Sequence, residues 1–323
     1  MQLTDDWQPS ASLDVLQQRA ALFQTIRSFF QHRCVLEVDT PILGRFGVTD
    51  LHLENLETSL SHFPHQRFQL QTSPEYAMKR LLAAHGQSIY QLGKVFRDDE
   101  AGRFHNPEFT MLEWYRVGFT MHDLIDEVVC LLHSVLGDLI VQQSTYQALF
   151  EKHLNIDPLT ISVKDLQARL MHDERIADLV ERETDKDTLL QLAMALVIEP
   201  QLDKSQITIV HRFPASQAAL AQLDVEDPRV ALRFEVYVGG IELANGYQEL
   251  TDATQQQMRF EHDNRLRQQF GKSEKPADFR LIDALNSEMP ECAGVALGFD
   301  RLLMLVTGVS DIRQVLPYSI ACA

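Results

Sequence analysis

Cysteine and long apolar runs are scarce in this chain, and each shortage excludes a class of protein. Four cysteines among 323 residues, with no metal-ligand spacing, indicate neither a disulfide framework nor a zinc site. No apolar run approaches about 18 residues, and no signal peptide opens the chain. We therefore expect a cytoplasmic protein in a reducing compartment, with no membrane partner.

Basic residues are also few, and this bears on the partners to expect. The chain has 29 lysines and arginines against 46 aspartates and glutamates, a formal charge of −17 at pH 7. Binding of a nucleic acid depends on a basic face that displaces counterions from the phosphates. The balance disfavours a tRNA partner, although a local basic patch can lie on an acidic body. With 45% hydrophobic residues, the chain can bury a core of one or two domains.

The first regular pattern is an amphipathic helix. Apolar residues recur at three- and four-residue steps over about residues 12–33, with Ser10 or Ser12 as the cap, and a strand follows over Val35–Thr40. Helical patterns return later and are broken by prolines, which predicts a mainly helical insertion over about residues 120–205.

Residues 95–116 combine charged, aromatic and amide side chains on two predicted strands joined by a polar loop. With a period of two, one face of the second strand carries Phe109, Met111, Glu113 and Tyr115. Arg97 ends the first strand, where a guanidinium can reach a phosphate at the mouth of the loop. The layout favours nucleotide binding, and a plain hairpin with a solvated loop is the alternative.

Residues 240–250 carry two carboxylates on a strand that begins after the turn pair Gly239-Gly240. Glu242 and Glu249 are seven residues apart, so alternation alone places them on opposite faces. A bulge at Asn245-Gly246 would turn both the same way, and two such carboxylates suit Mg²⁺ carried by a polyphosphate. Two solvent-facing glutamates are the alternative interpretation.

Residues 294–305 read as a strand that passes through Gly298 into an apolar helix. Glycine leaves room for a close approach to the backbone. An arginine in the first turn of a helix opposes the helix dipole, so Arg301 is expected to have an anionic partner such as a phosphate. An ordinary strand-turn-helix unit is the alternative.

In order and spacing, these elements resemble the three motifs of class II aminoacyl-tRNA synthetases. The first helix and the strand ending at Pro41 are similar to motif 1, residues 96–109 to motif 2, and residues 298–301 to motif 3. Within class II, residues 72–76, 105–111 and 242–246 are closest to lysyl-tRNA synthetases. The resemblance spans about residues 12–316. It implies an α+β fold, an antiparallel sheet flanked by helices, and a homodimer built on motif 1.

The start of the chain departs from lysyl-tRNA synthetases. Eleven residues precede the first predicted helix, too few for an anticodon-binding barrel. With residues 7–11 and 111–115, this makes the chain similar to the elongation factor P lysyltransferase family, stand-alone synthetase paralogues that aminoacylate a protein lysine. We expect an N-terminal tail over residues 1–11, a catalytic domain over 12–323 and no anticodon-binding domain.

The resemblance implies elongation factor P as the protein partner and lysine or (R)-β-lysine as the substrate. A truncated lysyl-tRNA synthetase that charges tRNA is the main alternative. An amide-forming ligase acting on aspartate needs a pocket of the opposite charge. A binding-only paralogue has no need of the phosphate and metal residues that this chain keeps.

The implied chemistry is attack of an amino acid carboxylate on the α-phosphate of ATP, giving an aminoacyl-adenylate. Both reactants are anions, so catalysis depends on charge neutralisation and positioning. Arg97 and Arg301 are the implied catalytic pair, on the α- and γ-phosphates, with His105 and Arg103 at the β/γ end. Phe109 and Arg301 enclose the adenine, and Glu242 and Glu249 hold Mg²⁺. The full implied ATP-binding set is Arg97, Asp98, Asp99, His105, Asn106, Phe109, Glu242, Leu243, Gly298 and Arg301.

A lysine-like substrate brings two ammonium groups, and each needs a carboxylate once it is desolvated. Glu75 is expected to meet the backbone-side amine, and Glu113 with Tyr115 the terminal one. An ion pair between Glu113 and an arginine is the alternative. The implied substrate-binding set is Ser73, Pro74, Glu75, Glu113, Tyr115, Glu249 and Ala296.

Three residues differ from the lysyl-tRNA synthetase pattern. Ala296 replaces a glycine and adds a methyl group to the pocket wall, enough to shift preference between α- and β-amino acids. Asp99 replaces a glutamate of motif 2 and shortens its reach to the adenine. Phe104 replaces an arginine in the loop that meets the tRNA acceptor end. The sequence leaves open the substrate's stereochemistry, the docking surface for the protein partner and the role of the helical insertion.

Overall fold

The elements below come from a computed structural model that describes residues 7–98 and 101–323. The α-helices in this part of the chain are α1 (Leu13–His32), α2 (Glu75–His85), α3 (Met121–Leu136), α4 (Tyr146–Leu154), α5 (Val163–Leu170), α6 (Ala177–Val180), α7 (Lys186–Ala193), α8 (Ala253–Gln269), α9 (Phe279–Asn286) and α10 (Phe299–Thr307). A π-helical turn spans Met194–Ile198, and 3₁₀ helices span Glu199–Gln201, Ala215–Gln217 and Ile312–Gln314.

The strands in the same residues are β1 (Leu36–Glu37), β2 (Leu43–Gly44), β3 (Glu57–Leu60), β4 (Phe63–Leu70), β5 (Ile89–Phe96), β6 (Glu108–Val117), β7 (Val141–Thr145), β8 (Ile207–Pro214), β9 (Val230–Val238), β10 (Ile241–Gln248) and β11 (Cys292–Gly298). The chain divides into two compact units. The first comprises the described residues up to Gly137 together with Glu249–Ala323, and the second is Asp138–Gln248.

The first unit is built on strands in the order β1-β5-β6-β11, with β2-β4-β3 as a separate small sheet. β5 pairs antiparallel with β6, and β6 with β11, whereas β1 adds a parallel edge. The predicted α+β fold with a mainly antiparallel sheet flanked by helices is therefore confirmed. β6 lies between β5 and β11, so residues of motif 2 and motif 3 share neighbouring strands.

Helix α1 forms as predicted and fixes the other two motifs. Ser12 caps it, because its hydroxyl accepts a hydrogen bond from the Val15 amide at 3.3 Å. Its Arg19 guanidinium is buried and donates to Asp300 of α10 at 2.5 Å and to Thr110 of β6 at 2.7 Å. A buried charge needs such partners, so α1 holds the start of α10 against β6.

The strand predicted over Val35–Thr40 is wrong in length. Only Leu36 and Glu37 form the parallel ladder with β5. Farther along, the Thr40 amide donates to the side chain of Gln91 at 2.9 Å instead of a backbone carbonyl. A side-chain acceptor thus ends the ladder just before Pro41, which has no N–H to donate.

The second unit has strands in the order β10-β9-β8-β7, with β7 parallel to β8. Its helices α4, α5 and α7 bury an apolar core that includes Phe150, Leu166 and Leu190. The β9–β10 hairpin turns at Gly239 and Gly240 as predicted, with φ of 65° and 79°. Helices occupy most of the predicted insertion, but α3 belongs to the first unit, and the domain boundaries stay a prediction.

The bulge expected at Asn245-Gly246 lies elsewhere. Both residues pair in register with β9, opposite Glu235 and Phe234. The register shifts between Glu242 and Ala244, so Leu243 is the extra residue of the strand. Leu243 is buried, so a bulge at this residue removes an apolar side chain from water, which a bulge at a glycine cannot do.

Among the described helices, none combines the length and the apolar character needed to cross a membrane.

Candidate active site

Arg97 and Phe109 lie together at the joined ends of β5 and β6. The Arg97 guanidinium stands over the Phe109 ring, 5.2 Å from its centroid, and its Nε donates to the Thr72 carbonyl oxygen at 3.4 Å. The Arg97 amide donates to Pro107 O at 2.9 Å, which fixes the base of the loop. A guanidinium beside an aromatic plate is suited to a nucleotide, because it offers charge to a phosphate and a flat face to a base.

Arg301 and His105 come together from opposite ends of the sequence. Arg301 Nη2 lies 2.7 Å from His105 Nε2, and Arg301 Nε donates to the Phe104 carbonyl oxygen at 3.3 Å. His105 sits in a tight loop that closes through a bridge to Gly102. Two residues predicted to hold the distal phosphates are therefore neighbours. Arginine and imidazole donors side by side match a polyphosphate.

The other predicted members of the ATP set have varied surroundings. Asn106 is buried, donates to Glu108 O at 2.6 Å and accepts from the Ile320 amide at 3.1 Å, so its side chain holds the loop. Arg103 Nε donates to Ser310 O at 2.7 Å. The Asp98 amide donates to Glu54 O at 3.0 Å. Asp99 lies outside the described residues, and its contact with adenine stays a prediction.

Three carboxylates lie close to these predicted ATP-binding residues and form what we call the carboxylate cluster. Ser73 donates to Glu113 Oε2 at 2.6 Å, and Tyr115 donates to Glu113 Oε1 at 2.7 Å. Glu113 is buried, with 2% of its surface exposed, and receives hydroxyl donors where an arginine was the alternative. The cluster comprises Ser73, Glu75, Lys79, Glu113, Tyr115 and Glu249.

The start of α2 places the cluster's first residues. Pro74 occupies the cap position, and the Ser73 hydroxyl accepts from the Glu75 amide at 3.1 Å. Glu75 is the first residue of the helix, where the dipole favours a carboxylate. Ser73 therefore links the helix start to Glu113 through a single hydroxyl.

Lys79 is the cluster member that we did not predict. Its ammonium lies 2.7 Å from Glu75 Oε1 and 2.5 Å from Glu249 Oε2, and 1% of its side chain is exposed. The spacing of four residues between Glu75 and Lys79 on a helix was the available signal, because such residues share a face. Burial and the contact with Glu249 depend on the tertiary structure.

Charge in the cluster is unbalanced, and the pKa values respond. Burial and, after it, the nearby Glu75 carboxylate together raise the pKa of Glu113 to about 7, although the hydroxyl donors oppose the shift. Burial raises the pKa of Glu249 to about 8 despite Lys79. For Lys79, burial alone lowers the pKa, but Glu249 and Glu75 outweigh it and raise the pKa above its ordinary value. Three carboxylates and one ammonium leave two net negative charges when all are ionised.

Gly294 of β11 closes one wall of the cluster. A Cβ at this position would lie 2.4 Å from Glu249 Oε1 and 2.4 Å from Tyr115 Cε1, closer than real Cβ contacts. Ala296, two residues on, pairs with Glu113 across the β11–β6 ladder, so its methyl group belongs to the same region. At Gly298 a Cβ would meet the Arg301 side chain at 3.4 Å, an ordinary contact, so a role in ligand binding there stays a prediction.

We expect Gly294→Ala to lower amino acid activation strongly, because the added methyl must displace Glu249 or Tyr115. Overpacking of this kind costs about 1–3 kcal/mol. Gly93→Ala in β5 is the matched control, because a Cβ at Gly93 would contact only the Gln91 side chain, at 3.6 Å. Amino acid-dependent pyrophosphate exchange, measured on both variants, checks the prediction. Equal exchange would show that Gly294 is not constrained by the cluster.

The predicted metal pair is divided between the two units. Glu242 and the extra residue Leu243 lie on β10 in the second unit, and Glu249 lies in the first. The described residues contain no group of three or more His, Cys, Asp or Glu arranged to hold a metal ion. Glu249 contacts the Lys79 ammonium. The metal assignment stays a prediction.

The chain belongs to the family described as tRNA synthetases class II (D, K and N), whose model matches residues 6–321. This agrees with the three motifs and with the sheet that carries them. The match covers both the strands of the first unit and the whole of the second.

Curated relatives narrow the comparison. The chain is 49% identical over 328 residues to the elongation factor P--(R)-beta-lysine ligase of Histophilus somni strain 2336, with all of both chains covered. It is 48% identical over 323 residues to the protein of the same name from Salmonella arizonae, and equally to that of Salmonella schwarzengrund, with 99% of each chain covered.

Proposed function

We propose that this chain is an ATP-dependent ligase that activates (R)-β-lysine, or lysine, and joins it to a lysine side chain of elongation factor P. The name of the relatives supports the substrate and the acceptor, since identity near one half extends over the full chain. The class II family supports amino acid activation with ATP. This is a post-translational modification of a protein that acts in translation.

The observation that carries the proposal is the charge of the carboxylate cluster. Buried carboxylates are costly unless they are paired, yet Glu113 is met only by the hydroxyls of Ser73 and Tyr115 in the contacts described. A substrate with two ammonium groups supplies the two positive charges that the cluster lacks. Aspartate would add negative charge, and an amino acid with one ammonium would leave one carboxylate unpaired.

In this proposal, the arginines bring two anions together. Arg97 lies beside both the Thr72 carbonyl, next to the cluster, and the Phe109 ring, so it can hold the substrate carboxylate and the α-phosphate at once. Arg301 and His105 hold the distal phosphates. An oxygen of the carboxylate attacks the α-phosphorus, the bond to the β-phosphate oxygen breaks, and pyrophosphate leaves. Positioning and charge neutralisation are the main catalytic terms of such a step.

The second half-reaction needs little from the chain. The acceptor lysine enters as a free amine and attacks the carbonyl carbon of the adenylate. The bond between the carbonyl carbon and the phosphate oxygen breaks and AMP leaves. The amine loses a proton and an amide forms. Neither a serine nor a lysine nucleophile of the enzyme is required.

Mg²⁺ bound with ATP would neutralise charge on the phosphates. The assignment of Glu242 and Glu249 to this ion stays a prediction, and Glu249 contacts Lys79. A homodimer built on α1, a cytoplasmic location and the absence of tRNA binding also stay predictions.

A panel of amino acids in ATP–pyrophosphate exchange tests the proposal. We expect exchange with (R)-β-lysine or lysine, and none with aspartate or norleucine, which lack the second ammonium. Preference for norleucine would contradict the charge argument. No exchange with any amino acid would point to a binding-only paralogue.

The affinity for the diamino substrate should depend on pH. Glu113 and Glu249, with pKa values of about 7 and about 8, take up protons as the pH falls, and a neutral carboxyl holds an ammonium weakly. The side-chain ammonium of the substrate stays charged in this range. We expect KM for the amino acid to rise as pH falls from 8.5 to 6, by up to about tenfold per pH unit for each group. Equal KM values for the amino acid at pH 8.5 and pH 6 would refute this dependence. KM for ATP, measured at the same pH values, serves as the internal reference.

A further inference from the structure

We propose that Lys79 is a positioning and specificity residue, an internal ammonium that holds Glu75 and Glu249 in place and sets the charge of the cluster to match a substrate with two ammonium groups. The inference rests on the proposed function and deepens it. Lys79 is not expected to touch ATP or the reacting atoms.

The geometry places Lys79 between two segments far apart in the chain. It comes from the second turn of α2 and contacts Glu75 of the same helix at 2.7 Å. Its other contact, at 2.5 Å, is Glu249, whose amide donates to Cys292 O of β11 at 3.0 Å. Lys79 therefore ties the start of α2 to the residue that follows β10 and to the wall formed by β11.

Burial shows that this ammonium is not a surface charge. One per cent of its side chain is exposed, as for Glu249, so neither group can exchange its partner for water. A buried ion pair is seldom worth more than an apolar replacement of the same volume. Its presence is better explained by what it fixes, and here it fixes two carboxylates of the substrate site.

The charge count explains the specificity. With Lys79, the cluster has a deficit of two positive charges. Without it, the deficit would be three, more than a diamino acid can supply, and the buried carboxylates would take up protons to reduce it. The titratable groups that interact with Lys79 are Glu75, Glu113, Glu249 and Cys292.

The test begins with Lys79→Met, which keeps the volume and removes the charge. We expect KM for the diamino acid to rise about 30-fold or more, as for loss of one partner of a buried charge pair, while KM for ATP changes less than about twofold. Lys272→Met is the matched control, because it removes a more exposed ion pair with Glu54.

Chemical rescue separates positioning from a structural role. Lys79→Ala leaves a space for propylammonium, which should restore exchange with the diamino acid and lower its KM, whereas propanol should not. Equal increases in KM for ATP and in KM for the amino acid, without rescue by the amine, would overturn the proposal. So would a variant that fails to fold even with propylammonium. The wild-type panel is measured first: if no diamino acid supports exchange, the proposed function fails, whatever the Lys79 variants show.

Discussion

We expect Arg301→Ala to lower kcat/KM for ATP in pyrophosphate exchange by about 100- to 1000-fold, the effect of losing one preorganised charge at a transition state. Arg301 lies 2.7 Å from His105 and beside the Phe104 carbonyl, so it joins α10 to the loop of motif 2. Alanine removes both the charge on the distal phosphates and the contact that places His105. The KM for the amino acid should change much less, because the carboxylate cluster is untouched.

Two further variants show whether the loss comes from the charge and shape of the Arg301 side chain. Arg301→Lys keeps the charge but loses the planar fork, and should recover only part of the activity. Arg313→Ala removes an exposed arginine that pairs with Asp311 and serves as the control. Unchanged exchange in Arg301→Ala would show that Arg301 is a structural residue of α10.

We expect Glu113→Gln to raise KM for the diamino acid by about 30-fold or more, because truncating one side of a buried charge pair costs about 2–5 kcal/mol. The amide keeps the volume, and its oxygen can still accept from Ser73 or Tyr115, so the loss is one of charge. Pyrophosphate exchange at varied concentrations of lysine or (R)-β-lysine measures this KM. A KM within twofold of wild type would remove Glu113 from the substrate site.

The melting temperature of Glu113→Gln shows whether its weaker substrate binding is caused by unfolding. The folded pKa of Glu113, about 7, lies above the ordinary value of 4.5, so the folded state binds more protons and the carboxyl's contribution to stability falls as pH rises from 4.5 to 7. Glutamine lacks this penalty. Glu113→Gln should therefore melt at the same or a higher temperature than wild type at pH 8, without substrate. A much lower melting temperature would indicate a structural cause for the lost binding.

Much of the nucleotide end could be predicted from the sequence because its residues lie in local patterns. Arg97 directly follows β5, Phe109 is the second residue of β6, and Arg301 lies in the first turn of α10, after Gly298. The contact of Arg301 with His105 shows that residues of motif 2 and motif 3 lie side by side. The helix α1 with its Ser12 cap was equally local, since periodicity and capping act over a few residues.

Only part of the carboxylate cluster could be predicted from the sequence, because its other contacts join segments that are far apart in the chain. Lys79 looks like an ordinary surface residue of a helix until Glu249 is brought to it. Gly294 matters because Tyr115 and Glu249 pack against its bare Cα. The bulge at Leu243 and the short strand β1 were also misplaced, since a buried side chain and the Gln91 amide decided them. Such contacts follow from the fold, and no local period encodes them.

Acceptor choice is the central claim, and a single labelling reaction tests it most directly. The enzyme is incubated with ATP, Mg²⁺ and labelled (R)-β-lysine or lysine, together with purified elongation factor P and total tRNA, and the products are separated on one gel. A variant of elongation factor P that lacks the modified lysine is the control. We expect label on the intact protein, none on its variant and none on tRNA. Label on tRNA and none on the protein would contradict the proposal in favour of a truncated lysyl-tRNA synthetase.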